Sequence, residues 1–342
     1  MKGSARADVV GRRLETVRAL MRSRRAQGVL LSTRRNFAWL TLGGLNHVLL
    51  STEHGAVPVL VTEHEAVAIA PANEAPRVAD EELAGLPISV RVVPWHDERA
   101  AERVADDTAS GRVLSDADLE IELVPHRSRL EEIEWQRLME LGRFATAAVE
   151  SGLAAVAPGD RESDAVAVMV AAVARDGARA PVVLAAADER IDRYRHPLPA
   201  GAEVRRRLML VLVVERWGLH AAVTRIRELE PPNGELQRRI EASAIVLDAM
   251  HGATRPGATL GDVLAAAQDA YRATGYGAEW ELHHQGGSIG YQGRERIATP
   301  GDPTPIESGM AFAWNPSITG TKAEETAVLL PDGGLHIVTA AS

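Results

Sequence analysis

The chain contains no cysteine. That excludes disulfides, thiolate nucleophiles and cysteine-ligated zinc or iron–sulfur centres, and it leaves the compartment open. No apolar run approaches the ~20 residues that a membrane-spanning helix needs, so no membrane partner is expected. Positive charge is short: 38 Lys and Arg stand against 47 Asp and Glu, for a net charge of -9. No basic stripe gathers on one segment, so a nucleic-acid partner is not expected. Residues 1–20 are charged and lack an apolar core followed by a cleavage site, so they do not read as a signal peptide. What remains is ordinary for a globular chain: 342 residues, 46% hydrophobic and 25% charged, enough for one large or two ordinary domains. A cytoplasmic enzyme or enzyme-like protein is the expectation.

Apolar residues recur at helical spacing over residues 8–27: Val9, Val10, Leu14, Val17, Leu20 and Met21. Gly28 stops that helix ahead of a strand at 29–33, and RRNFAWLTLGG follows as a short helix or turn. Apolar runs at 57–61 and 66–70 flank a polar turn and predict a hairpin. A strand at 88–93 and a helix near 98–109 complete an alternating α/β domain over residues 1–125. Residues 113–129 read as the link to a second domain over 126–342. That domain opens on a long amphipathic helix, whose apolar face carries Leu138, Leu141, Phe144 and Ala148.

The second domain contains an internal repeat. Aligning residues 152–177 with 250–275 matches Pro158 to Pro256, Gly159 to Gly257, Asp164 to Asp262 and Gly177 to Gly275, all at one offset. Each copy reads as a helix, a Pro-Gly turn and a second helix, followed by strand-like runs. A duplicated half of this kind predicts a pseudo-two-fold α+β domain with a pocket between its halves.

The stretch at 280–295, WELHHQGGSIGYQGRE, sets two adjacent histidines before a glycine-dense run. Glycine lets backbone approach a ligand or another strand closely. In an extended segment His283 and His284 point to opposite faces, so only one is expected to face a pocket.

This organisation resembles the creatinase/aminopeptidase P family, with its pita-bread catalytic domain. The carrying stretches are RRNFAWLTLGG, HRSRLEEIEWQRL at the entry to the second domain, the strand LMLVLVVERWG with the later Thr224–Arg225 pair, HHQGGSIG, GMAFAWNP and TKAEETAV. The resemblance implies an α/β N-terminal domain, a pita-bread C-terminal domain and a homodimer. It also implies a pair of divalent metals held by two Asp, one His and two Glu, a donor set suited to hard cations that clamp an attacking and a leaving group. Carried over one by one, those positions are Val211, Ala222, Gly287, Asn315 and Glu324. Only Glu324 keeps its type, so no metal and no other cofactor is expected.

Creatinase offers the family's metal-free precedent, with a histidine as acid/base and glutamates holding the substrate. The resemblance places His196, in RYRHPLPAG, at or near that histidine. It makes Glu324 a positioning carboxylate and His283 a histidine that contacts substrate; these three are the expected catalytic residues. His220, His284, Arg294, Glu295 and Asn315 are the expected substrate-side residues. Arg294 and Glu295 read as either a solvated pair or an ion pair lining the cleft, and Lys322 reads as loop surface. Replacing Asp by Val and Ala makes the pocket more apolar, which is expected to raise the pKa of Glu324 and keep imidazoles neutral. The function expected is metal-independent hydrolysis or elimination at a C–N bond of a small nitrogen-containing molecule. The alternatives are a non-catalytic relative binding a ligand or partner in the old cleft, and an Xaa-Pro aminopeptidase with relocated metal ligands acting on short peptides.

Overall fold

The computed structural model describes residues 3–341. The chain forms two compact units, the first ending at Arg127 and the second beginning at Ser128.

The first unit starts with α1 (Gly3–Ser23), which buries Val10, Leu14, Val17 and Met21 along one stripe. β1 (Gly28–Thr33) and α2 (Arg34–Leu40) follow. β2 (His54–Thr62) and β3 (Ala66–Pro71) form the antiparallel hairpin that the two apolar runs predict. After α3 (Ala75–Arg77) come β4 (Ser89–Val93), α4 (Ala100–Ala109), β5 (Val113–Ser115) and α5 (Asp116–Ser128). The sheet order is β4-β3-β2-β1-β5. Residues 113–128 are therefore not a link. β5 pairs parallel to β1, and the buried Asp116 accepts bonds from Thr33 and Asn36, tying the start of α5 to the β1–α2 junction. A strand of three residues carries too little periodicity to be seen in sequence.

The second unit shows its duplication in detail. The first half holds α6 (Glu132–Ala154), α7 (Glu162–Arg175), β6 (Arg179–Ala187), α8 (Glu189–Arg193), β7 (Arg207–Arg216) and β8 (Leu219–Glu228). The second holds α9 (Gly234–Ala253), α10 (Leu260–Ala273), β9 (Gly286–Ile289), β10 (Arg296–Ile297), β11 (Ala311–Trp314), β12 (Ser317–Ile318), β13 (Thr321–Lys322), β14 (Glu325–Leu329) and β15 (Leu335–Ile337). The matched residues do matched work. Asp164 accepts from the Arg161 amide at 2.9 Å at the start of α7, and Asp262 accepts from the Thr259 amide at 2.8 Å at the start of α10. Gly159 and Gly257 both take positive φ, 100° and 85°, in the turns before those helices.

β6, β7 and β8 form an antiparallel sheet, and a second sheet runs β10-β9-β11-β14-β15. The halves meet where β8 lies against the start of β14. The Thr326 hydroxyl accepts from the Ala222 amide and donates to its carbonyl, both at 2.8 Å, and Thr224 forms a bridge with Glu324. That seam places β7, β8 and the residue 324 segment around one cavity.

Candidate active site

A cavity of about 460 Å³ opens at the seam. One wall is apolar: Val182 and Leu184 of β6, with Val211 and Val213 of β7, which share a face because they are two residues apart on a strand. The polar lining carries His196, His220, His284, Arg294, Asn315, Lys322 and Glu324. An apolar enclosure with a few convergent polar groups is the usual form of a small-ligand site.

Glu324 is the buried centre of the polar wall, 3% exposed. Lys322 Nζ lies 2.8 Å from its Oε2 and Arg294 Nη2 lies 3.1 Å from its Oε1, while the Thr224 hydroxyl donates to Oε2. Burial pushes this carboxyl up, but Lys322, Arg294 and the hydrogen bonds from Lys322 and Thr224 outweigh it and hold the pKa at about 2. The expected rise is thus reversed: Arg294, expected at the cleft, and Lys322, expected at loop surface, both pair with this carboxyl. Lys322 is also not loop surface, since its side chain is 6% exposed. A signal for it was present in the composition. Of the 38 basic residues only Lys2 and Lys322 are lysine, so a lone internal lysine in an arginine-rich chain marks a position where a compact ammonium is wanted.

The histidines converge more than strand alternation allows. His196, in the loop after α8, places Nε2 2.9 Å from Nε2 of His283. His283 and His284 do not diverge: their rings stack with centroids 4.4 Å apart. The pair sits between a 3-10 turn (Glu279–Leu282) and β9, outside the paired strand, so the alternation rule does not govern it. Burial lowers all three imidazoles. His283 falls to about 3, with His284 and Lys322 adding to burial; His284 falls to about 4, with Arg294 and His196 adding. His196 is lowered by burial and Lys322, against Glu324. At neutral pH these rings are neutral; one of the two facing Nε2 atoms accepts from the other, and His284 Nδ1 accepts from the Gly286 amide at 3.3 Å.

The other predicted residues divide. His220, at the start of β8, lines the cavity and sets Nδ1 3.2 Å from the Gly290 carbonyl, a contact that requires the proton on Nδ1. Ala222 is fully buried but does not line the cavity. Asn315 lines it, with its Oδ1 buried and without a hydrogen-bond partner among the described residues. Arg294 pairs with Glu324 and not with Glu295, which is buried away from the cavity wall.

The position-by-position donor set does not fit a metal pair. Val211 and Ala222 have no donor atoms. At Gly287 even a Cβ would lie 2.0 Å from the Arg296 carbonyl oxygen of β10, so the space a ligand histidine would need is filled by backbone. The one retained acid, Glu324, is already neutralised by Lys322 and Arg294.

Residues 136–338 match metallopeptidase family M24. Among solved structures, the prolidase from Pyrococcus horikoshii OT3 superposes with a TM-score of 0.80 at 17% identity, covering 96% of this chain and 98% of that one. The Xaa-Pro dipeptidase from Bacillus anthracis gives 0.77 at 16% identity, covering 97% and 98%. The N-terminal domain of FACT complex subunit SPT16 from Cicer arietinum gives 0.74 at 11% identity, covering 98% and 97%. Identities this low carry the fold and not the activity. No curated protein matches the chain by sequence.

Proposed function

The chain belongs to metallopeptidase family M24 and has its pita-bread fold, and from that premise we propose that it is a hydrolase working without the family's metal pair, on a C–N bond of a small nitrogen-containing molecule that bears an acidic group. The observation that carries this reading is the replacement of metal ligands by a Lys322–Glu324–Arg294 cluster beside neutral histidines. Two cations against one carboxylate leave the polar wall with a surplus positive charge, which favours an anionic substituent on the substrate. The apolar wall of Val182, Leu184, Val211 and Val213 takes the remainder of the molecule.

In the proposed step, water adds to the carbon of the C–N bond. The His196 imidazole removes the water proton as the C–O bond forms. It returns that proton to the nitrogen as the C–N bond breaks, and the amine leaves neutral. A histidine with a lowered pKa is unprotonated at neutral pH and ready to act as the base. His283, in hydrogen-bond contact with His196, orients the ring. Asn315 Oδ1 offers the substrate an unpaired acceptor for an N–H group. A homodimer belongs to the same proposal and is read by sedimentation of the purified chain.

The test is a turnover screen of amide, amidino and guanidino acids, with Xaa-Pro dipeptides alongside, in the presence of a chelator. The expected result is chelator-resistant release of amine or ammonia from an acidic substrate. His196→Ala should then lower kcat by about 10²–10⁴-fold. Turnover confined to dipeptides and abolished by the chelator would overturn the reading. Binding without any turnover would make the cleft a ligand site instead.

A further inference from the structure

Three imidazoles from the two halves of the second unit meet beside the cavity; His196 and His284 line it, and His283 stands behind them. The Nε2 atoms of His196 and His283 are 2.9 Å apart, and one ring nitrogen from each of His196, His283 and His284 lies within 4.8 Å of the other two. The loop that carries His196 is fixed by its neighbour Arg195, which donates to Glu279 and, at 3.2 Å, to the Thr319 hydroxyl. Two neutral rings can share one N–H···N bond, but this leaves the buried Nδ1 of His283 with no partner. That Nδ1 lies outside a site built on the Nε2 pair, and His284 Nδ1 already accepts from the Gly286 amide at 3.3 Å, a bond that ligation through that nitrogen would replace.

A zinc-class ion sits about 2.0–2.1 Å from an imidazole nitrogen, which spaces tetrahedral donors roughly 3.3 Å apart. The closest pair is already near that spacing, and a ring rotation brings in the third nitrogen. We propose that His196, His283 and His284 bind one divalent transition metal of the zinc, cobalt or nickel class, and that the bound ion switches the enzyme off. This site uses none of the family's metal-pair positions. Its second half rests on the proton-carrying role proposed for His196: a lone pair given to a metal cannot take a proton.

Selection follows from donor type. Imidazole suits zinc, nickel and copper, whereas manganese and magnesium want oxygen. Lys322 and Arg294 oppose any cation here and Glu324 offsets one of them, so an ion held by charge alone is disfavoured. The ion that enters must be held by nitrogen bonds.

The test is calorimetric titration of chelator-stripped, full-length protein with Zn²⁺, Co²⁺ and Mn²⁺, with visible absorption followed for cobalt. One zinc or cobalt per chain is expected, with manganese far weaker. Loss of an outer partner alone costs a metal site about 10–100-fold in affinity, so the double variant His283→Ala/His284→Ala should lose at least ~100-fold. His336→Ala, exposed on β15, should bind as the parent does. His196→Ala gives an independent second reading should the double variant fold poorly. Absence of the one-ion isotherm, or zinc affinity unchanged in these variants, overturns the site. Turnover should fall with zinc occupancy and return with chelator; turnover that zinc leaves alone or raises overturns the switch. The isotherm needs no substrate, so failure of the hydrolase reading and failure of the site are separately visible.

Discussion

Glu324 shows how far single residues can be read from sequence. Its position and its acidic type were legible, but its charge environment was only half so: Lys322 is two positions away, where strand spacing would share a face, whereas Arg294 reaches it from 30 positions away through the fold. The adjacent histidines failed for a related reason. Alternation was the right rule for a strand, and the pair lies just outside one. Lys322 carries a direct test. Glu324 is depressed from 4.5 to about 2 in the folded chain, so its stabilising contribution is complete above the unfolded value and fades as pH falls from 4.5 toward 2. Lys322→Met removes the nearest cation and lifts that carboxyl. Stability at neutral pH should fall by on the order of 2 kcal/mol, and acid unfolding should begin at higher pH. Urea denaturation across the acid range measures both. An acid limb identical to that of the parent would mean that Arg294 and Thr224 hold the carboxylate without help.

At the scale of elements, legibility followed length and periodicity. The paired helices and the hairpin of β2 and β3 announced themselves, since each repeats a pattern over many residues. β5, β10, β12 and β13 run two or three residues and left no such trace. β10 nonetheless decides the site, because its Arg296 carbonyl fills the space over Gly287. Gly287 is the residue that lets β9 and β10 pair at Gly287↔Ile297. Gly287→Ala should therefore cost at least ~2 kcal/mol, as overpacking does where backbone cannot give way. Gly252→Ala serves as the control. It sits in α9 with nothing within 4 Å of a new Cβ, so it should be neutral or stabilising. Thermal unfolding of both variants reads the contrast, and equal melting temperatures would show that β10 moves aside freely.

For the whole molecule, the family order of motifs is readable from end to end, and the resemblance implies the loss of four ligands. The sequence alone left open whether those four losses are point changes on an intact metal site or parts of a rebuilt one. The second description accounts for more. Lys322 and Arg294 occupy the two oxygens of Glu324, β10 fills the space over Gly287, and Val211 continues an apolar wall with Val213, Val182 and Leu184. These features come from both halves of the repeat and support one another, so restoring donor types alone should not restore the centre. The quadruple variant Val211→Asp/Ala222→Asp/Gly287→His/Asn315→Glu supplies the full family set of side chains. It should nevertheless bind no pair of Mn²⁺ ions by calorimetry and should melt below the parent. New carboxylates replace Val211 of the apolar wall and the fully buried Ala222, a third replaces the buried Asn315, and the new histidine meets the Arg296 carbonyl. If that variant instead takes up two Mn²⁺ per chain with its stability intact, the cavity is an idle metal site and the cation cluster around Glu324 is incidental to it.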